Sequence, residues 1–587
     1  MKFLRNLLAS ILGCVIAFGV FFVMFLIFIS LAGSQEKAIS VPETSVLLLE
    51  IDKPLKDYGG KFDFTDFGVN FEQYDGLNRI LRAIDAAAED DRIKGISIRN
   101  NYLPAGMAQT GALREALEAF KASGKFVYAY GDVYAQKDYY LASVADSVFV
   151  NPVGDIDFKG LASEVLFFKD LQEKTGVKLE VIRHGKYKSA VEPFLDNEMS
   201  PQNREQISEL LFSLWNTMVE DISVSRGLSA GTLNTLADTL GARTPDMALR
   251  AGLVDRIAYL DEYESSLKAA CGLEADKDLE YVELRDYSEY AARQSSAYGK
   301  DRIAVVYAEG EIVYGDGNKD LVGQGIILES LQKAREDDRV KAVVLRINSP
   351  GGSALASDII WREVAVTKKE KPVVVSMGNL AASGGYYIAA GADKIYAEPT
   401  TITGSIGVFG MLPNVKELAG RMGINAEHVV TNSQALGYSA FQPLSEAYRK
   451  VTTESIEHIY ETFVHHVAEG RDMKVEDVDA IAQGRVWSGA EAVEIGLVDE
   501  IGGLNEAVAY AAGEAGTEAY VTVDYPVYST SIQDVMDKFI GVSVTKGREQ
   551  ILREEIGEEG YRVLQAIRVL AQQKGVQARL PYELVVY

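Results

Sequence analysis

The sequence contains one long segment twice. Glu89-Asp90-Asp91-Arg92 returns as Glu336-Asp337-Asp338-Arg339, an offset of 247 residues. The apolar runs that follow also match, Ile93-Lys94-Gly95-Ile96-Ser97-Ile98-Arg99 against Val340-Lys341-Ala342-Val343-Val344-Leu345-Arg346. The same offset carries Gly131 onto Gly378, Tyr139-Tyr140 onto Tyr386-Tyr387, Asp146 onto Asp393 and Pro152 onto Pro399. It also carries Gly160 onto Gly407 and Gly176 onto Gly423, and Gly252-Leu253-Val254-Asp255 is echoed at slightly shorter spacing by Gly496-Leu497-Val498-Asp499. A register kept this far means one domain present in two copies, and 587 residues are in any case too many for a single hydrophobic core. In the second copy, Val- and Ile-rich runs at 303–307, 342–347 and 373–376 alternate with helical spacing over 326–336 and 354–367. Repeated strand–helix units predict an α/β domain with mostly parallel strands. Residues 284–301, with their Ser, Tyr and Gln, read as the connection between copies. After about 525 the Lys- and Glu-rich segment to 573 reads as helical decoration, and Val585-Val586-Tyr587 as a short strand.

The N-terminus fixes a topology. Lys2 and Arg5 precede an uncharged, apolar run over 6–35. That exceeds the ~20 residues that cross a bilayer and the roughly 7–15 of a cleavable signal. A transmembrane helix is therefore expected, with its basic end in the cytoplasm and the remaining chain outside the cytoplasmic membrane. Ser30-Leu31-Ala32 resembles a cleavage site, so removal of the run stands as the alternative. Ile11-Leu12-Gly13-Cys14 faintly resembles a lipid-attachment sequence, but the apolar run continues beyond it, and Cys14 reads as part of a membrane helix. Only Cys271 is then left for the folded part, and no intrachain disulfide framework is possible. With 47% hydrophobic and 25% charged residues the chain is globular rather than disordered. Its net charge of −26 repels phosphate backbones and argues against nucleic-acid binding. No phosphate-cradling glycine loop or metal-ligand cluster is evident, so no cofactor is expected.

Where the copies differ, they differ in chemistry. Ser383, in Ala381-Ala382-Ser383-Gly384-Gly385, falls at a predicted strand-to-helix join; its counterpart in the first copy is Gln136, in Tyr134-Ala135-Gln136-Lys137-Asp138. Ala381 stands where a G-x-S-x-G elbow needs glycine, so that motif does not fit. A serine kept only as a packing spacer should be small in both copies, and the asymmetry favours a nucleophile. Asn348-Ser349-Pro350-Gly351-Gly352-Ser353 follows a strand and can turn backbone N–H groups toward an oxyanion; the first copy, Asn100-Asn101-Tyr102-Leu103-Pro104-Ala105-Gly106, lacks the double glycine. A serine nucleophile needs a base. His184, His428, His458, His465 and His466 adjoin no serine or aspartate signature. The alternative is a lysine with its pKa lowered from ~10.4 toward 7, which costs about 4–5 kcal/mol and demands desolvation or neighbouring donors. Lys188 lies in Gly185-Lys186-Tyr187-Lys188-Ser189-Ala190-Val191-Glu192-Pro193-Phe194, whereas the matching 433–440 holds no lysine. The first copy thus has a candidate base without the serine, and the second the serine without a base. Lys186, two residues away, would share the face of Lys188 on a strand, and the residues alone leave that choice open.

Three segments resemble the signal peptide peptidase A family in its long, duplicated form. Tyr187-Lys188-Ser189-Ala190-Val191-Glu192-Pro193-Phe194 is similar to its base segment, Ala381-Ala382-Ser383-Gly384-Gly385-Tyr386-Tyr387 to its nucleophile segment, and Thr403-Gly404-Ser405-Ile406-Gly407-Val408 to a supporting segment. The similarity covers nearly the whole chain, with no departure at the dyad positions and no motif after about 525. It implies two tandem ClpP/crotonase-like α/β domains, at 40–285 and 300–525, between an anchor at 1–35 and a C-terminal extension at 526–587. It further implies a membrane-anchored serine endopeptidase with Ser383 as nucleophile and Lys188, rather than Lys186, as base. Ser405 would orient the lysine, and N–H groups of Gly384 and of Gly351 or Gly352 would form the oxyanion hole. The resemblance also implies a homotetramer over the bacterial inner membrane that degrades released signal peptides and other apolar peptides, with no metal or nucleotide. Two rivals are a crotonase-type acyl-CoA enzyme, which the anchor and the Lys188–Ser383 pairing do not suit, and an inactive membrane scaffold, which would have no reason to keep both residues.

Overall fold

The computed structural model describes residues 5–6, 10–14, 16–20, 39–64, 69–73, 75–294, 301–529 and 576–579. Residues 1–43 and 44–587 form two compact units. In the first, 10–14 and 16–20 are helical. Among the described residues no helix is long and apolar enough to cross a membrane; most of the run expected to be the anchor lies outside them.

The second unit holds both copies, and their central sheets have the same order. In the first copy the strands run Arg256–Ile257, Ser147–Val150, Phe126–Gly131, Ile93–Ile98, Ser45–Leu49 and Glu280–Glu283 across the sheet, all parallel. In the second, six strands keep that order, Glu500–Ile501, Lys394–Ala397, Val373–Ala382, Val340–Ser349, Asp301–Glu309 and Tyr520–Tyr525, all parallel. This sheet also branches from the end of Val373–Ala382 to Ile402–Gly404, parallel, and from there to Val486–Ser488, antiparallel. Alternate residues face opposite layers: Ala304, Val306, Val343, Leu345 and Val375 belong to one core, and Ile303, Val305, Ala342, Val344 and Val374 to the other. Burial on both faces is why these strands read as unbroken apolar runs. The expected helices are present as Gln324–Glu336 and Ala354–Thr367, the latter capped by Ser353 Oγ accepting from the Ala356 amide.

Two expectations change. The stretch read as a connection contains a helix, Leu284–Gln294, whose Tyr287 donates to Asp90 Oδ2 at 3.0 Å. Its buried positions, Leu284, Tyr287 and Ser288, have helical spacing but include only one aliphatic residue, so the apolar signal is faint. Within the extension read as helical, Val527–Ser529 is a strand parallel to Lys61–Phe64, and Val576–Arg579 is also a strand. The rest of 526–587, including 585–587, lies outside the described residues.

The copies interlock rather than follow one another as separate bodies. Strand Lys178–His184 of the first runs antiparallel to Val408–Asn414 of the second, in register from Lys178 opposite Asn414 to His184 opposite Val408. Each copy also has a 26-residue helix, Pro201–Arg226 or Glu446–Arg471, capped by a serine. The first reaches into the second copy, where Leu210 and Leu214 pack with Ala382 and Val486, and the Ser213 and Ser488 hydroxyls lie 2.7 Å apart. The second covers the strand from the first copy, with Tyr460 stacked on His184 at 4.0 Å between ring centres. A buried ion pair, Arg346 Nε to Asp57 Oδ2 at 2.7 Å, is a further tie between the copies.

Candidate active site

Ser383 sits between strand Val373–Ala382 and helix Gly384–Ala389. Its φ of 56° and ψ of −114° lie where a residue with a Cβ persists only if its surroundings hold it. They do: its amide donates to Gly404 O at 2.8 Å, and its carbonyl accepts from the Tyr387 amide at 2.8 Å. The two tyrosines anchor the helix, Tyr386 by donating to Leu497 O at 2.7 Å and Tyr387 to Asp358 Oδ1 at 2.8 Å.

Lys188 arrives from the other copy. Strand Lys178–His184 ends, Gly185 turns the chain with φ 101°, and Lys188 precedes the short helix Ser189–Phe194. Because the chain has left the strand, the two lysines do not share a face. Lys186 is exposed, with Nζ 5.0 Å from the centre of the Tyr187 ring, and Lys188 is fully buried. Lys188 Nζ lies 2.9 Å from Ser383 Oγ, 3.0 Å from Ser405 Oγ and 3.1 Å from Ser405 O. Burial alone holds its pKa well below the ordinary lysine value, because losing water penalises the charged amine. A neutral amine fits these neighbours with every group used once. Its two N–H bonds go to Ser405 O and Ser405 Oγ, Ser405 Oγ donates onward to Gly484 O at 3.4 Å, and the nitrogen lone pair faces the Ser383 hydroxyl.

Ser405, also fully buried, is held with φ 50° by its amide donating to Arg485 O at 2.6 Å. Gly351 and Gly384 meet beside Ser383: a Cβ on Gly351 would stand 2.7 Å from the Gly384 nitrogen. Gly384 opens its helix, so its N–H has no partner within it, and the Gly351 amide donates to Ser349 Oγ at 3.2 Å, a bond that an oxyanion there would have to share or replace. Gly352 instead packs on the backbone of Ile312, where a Cβ would stand 2.1 Å from the carbonyl oxygen. At the equivalent place in the first copy, Gln136 Oε1 accepts from the Lys159 and Gly160 amides at 2.9 and 2.8 Å, and Nε2 donates to Gly160 O at 2.8 Å. There a side chain knits two loops together and leaves no nucleophile.

Comparison with known proteins agrees with the duplication. The model of peptidase family S49 matches twice, over residues 119–274 and 365–518, and that of Clp protease matches 294–403. Protease 4 of Haemophilus influenzae is 36% identical over 522 residues, spanning 86% of this chain and 84% of the relative. The chain belongs to peptidase family S49, the signal peptide peptidase A proteases. The chloroplastic serine protease SPPA of Arabidopsis thaliana is 33% identical, over 84% of this chain and 72% of its own. A putative protease of Methanocaldococcus jannaschii is 34% identical over only 43% of this chain but 84% of its own length. A solved ClpP1 mutant from Listeria monocytogenes aligns with 35% of the chain at 19% identity and a TM-score of 0.25.

In this S49 peptidase the lysine needs a channel that sequence reading did not reveal. A Cβ on Gly484 would stand 2.7 Å from both the Cβ and the amide nitrogen of Lys188, and one on Gly407 would stand 3.2 Å from its Cδ. The backbone carrying the lysine is tied down by Tyr187 N donating to Gln483 O at 2.9 Å and by Gln206 Nε2 donating to Tyr187 O at 3.0 Å. Gly407 was visible as one of the repeated glycines. Gly484 had no such signal, because the shorter spacing that carries Gly496 onto Gly252 carries it back to Leu240. The histidines are engaged elsewhere or exposed: His466 stacks on Trp361 at 3.4 Å, and His428, His458 and His465 face solvent. Among the described residues no group of three His, Cys, Asp or Glu side chains could hold a metal ion.

Proposed function

We propose that this peptidase is a serine endopeptidase in which Ser383 attacks the substrate carbonyl and Lys188, as the free amine, takes the hydroxyl proton. The observation that carries this reading is a fully buried lysine with no carboxylate partner among the described residues, its Nζ 2.9 Å from the hydroxyl of a serine held in a strained backbone conformation. Desolvation keeps the amine neutral, so it can accept a proton from Ser383 in the attack and return it to the leaving amine. Ser405 fixes the lone pair on Ser383 by taking both N–H bonds of the amine. The Gly384 and Gly351 amides stabilise the oxyanion, worth about 10²–10³ in rate per donor in sites of this kind. Water then hydrolyses the acyl-enzyme, with Lys188 again as base. No step requires a metal or other cofactor.

The substrates we assign are apolar peptides, among them signal peptides after their release. They suit an enzyme tethered by residues 1–35 to the bacterial inner membrane, N-terminus inside and the two copies on the extracytoplasmic face, assembled as a homotetramer. A fluorophosphonate probe tests the chemistry. It is expected to modify Ser383 and to fail on Ser383→Ala, and both Ser383→Ala and Lys188→Ala are expected to lose hydrolysis of a short apolar peptide ester while staying folded. Labelling at another serine, or activity surviving in Lys188→Ala and lost in Lys186→Ala, would overturn the assignment.

A further inference from the structure

By the offset of 247, Ala135, Gln136, Lys137 and Asp138 stand where the second copy has Ala382, Ser383, Gly384 and Gly385. In the second copy those positions supply the proposed nucleophile and an oxyanion donor. In the first they line a cavity of about 450 Å³. Its apolar wall comes from both copies, with Leu103, Met107, Leu161 and Met218 from the first and Leu380 and Ile402 from the second. Tyr102 and Lys159, which also line it, are exposed, so it opens to solvent. It is distinct from the dyad: Lys188, Ser383 and Ser405 do not line it, although Leu380 and Ile402 come three residues before Ser383 and Ser405. An apolar cavity of this size with a few polar groups is of the kind that small ligands occupy.

One polar group of the cavity is unsatisfied. Asp138 is 2% exposed, and its Oδ1 has no hydrogen-bond partner among the described residues. Burial raises its pKa to about 6, because losing water penalises the carboxylate. The side chains beside it are turned to other partners: Lys137 donates to Ala105 O, and Gln136 binds the 159–160 loop with both ends of its amide. At the equivalent Gly385 a Cβ would stand 2.7 Å from Ser349 O, whereas the first copy has room for a carboxyl and has placed one. A buried carboxyl without a partner is costly, and a cationic donor offsets that cost with a charge-assisted bond. We propose that this cavity binds the amino end of an apolar peptide, its ammonium on Asp138 and its first side chain among Leu103, Met107, Met218 and Leu380. A lone acceptor at an apolar wall selects a ligand that is cationic at one end and hydrocarbon at the other. That the ligand is a peptide rests on the reading of the chain as a hydrolase of apolar peptides, in which every cut frees a new amino terminus. With glutamine in place of serine, the first copy holds that end and does not cut it.

The test uses the full chain carrying Ser383→Ala, so that no peptide is consumed. Calorimetric titration with leucyl-leucinamide is expected to give a Kd of about 0.1–1 mM. N-acetyl-leucyl-leucinamide should bind about ten-fold more weakly, because the acetyl cap removes the charge that strengthens a bond to a carboxylate. Asp138→Asn in the same background should erase the difference between the two peptides. The amide dipeptide with a diazirine-bearing leucine at its first position should crosslink to Met107, Met218 or Leu380. Equal binding of the free and acetylated peptides, no binding at about 10 mM, or crosslinks confined to Gly351–Ser353 and Val408–Asn414 would refute the site, whether or not Asp138→Asn folds. Fluorophosphonate labelling of Ser383 in the wild-type chain is read separately. Labelling without amine-dependent binding would remove the cavity's ligand and keep the serine peptidase; binding through Asp138 in a chain that is never labelled would do the reverse.

Discussion

Gly484→Ala is the most discriminating substitution, because it perturbs the base without touching a reacting atom. The new methyl group would stand 2.7 Å from Lys188 Cβ and amide nitrogen and 2.8 Å from its Cα, against ~3.5–4.0 Å for carbon atoms in contact. Two of those three atoms are backbone, so no rotamer change relieves the overlap, and the segment carrying Lys188 must retreat by about 1 Å. Starting from 2.9 Å between Nζ and Ser383 Oγ, a displacement of that size is expected to cost about 10²-fold in kcat. The φ of 82° at this position adds about 1–2 kcal/mol of backbone strain. Gly496→Ala is the control: its φ is 79° and its nearest neighbour is Met473 Sδ at 3.9 Å, so it carries the strain without the overlap. The assay is kcat on a peptide ester at saturating substrate, with thermal unfolding of both variants. A loss of stability in both variants, larger in Gly484→Ala because of the overlap, with a large loss of kcat only in Gly484→Ala, is expected. A Gly484→Ala enzyme within about three-fold of wild type, against the hundred-fold expected, would refute the claim that this glycine sets the lysine's position.

Lys188→Met should stabilise the protein, with a gain that depends on pH. The folded pKa of Lys188 lies below its unfolded value, so burying the group costs most at acidic and neutral pH. That cost fades as pH rises toward the ordinary lysine value of ~10.4, and urea denaturation at several pH values should show the gain shrinking in step. In the wild-type enzyme the same shift places the rise of kcat/KM with pH below the ordinary lysine range, and a rise following an unperturbed lysine would contradict a desolvated base. Ser405→Ala removes one acceptor of the amine and should lower kcat about ten-fold, the equivalent of ~1.4 kcal/mol, with little change in KM. Glu398 is buried beside Arg346, and burial raises its pKa to about 8. The stability of its neutral form is complete below the ordinary carboxylate range of ~4.3 and is lost as pH rises through about 8. Glu398→Gln should therefore match wild type near pH 4 and exceed it in Tm above pH 8, and a constant difference would contradict the assignment.

Much of the architecture was legible because duplication gave the chain an internal reference. Strand–helix alternation placed Ala354–Thr367 to the residue, and the shared offset implied two copies of one domain, although the strand order within each was not legible in it. The proposed dyad emerged from asymmetry: Gln136 in place of Ser383, and no lysine opposite Lys188. What stayed hidden depends on contacts between distant segments. Lys186 and Lys188 were inseparable while the strand was assumed to continue, and only the turn at Gly185 buries one and exposes the other. The pairing of Lys178–His184 with Val408–Asn414 joins segments more than 200 residues apart and carries no local signature. Val576–Arg579 does alternate apolar and polar residues as a strand should, but four residues at the end of a Lys- and Glu-rich stretch are too short a signal to outweigh helical composition.

If Lys188 and Ser383 act as proposed, the interlocking of the copies also sets when the enzyme can first act. Domains emerge and fold from the N-terminus during synthesis, so Lys188 is made 195 residues before the serine it serves. Until then the lysine lacks the walls that desolvate it, for Gly407, Gly484 and the carbonyl of Gln483 all lie further along the chain. An emerging first copy is thus an ordinary charged surface with no hydrolytic power. Activity begins only after the 482–485 loop has closed over the lysine, which keeps a peptidase made among unfolded polypeptides inert until its own folding is nearly complete.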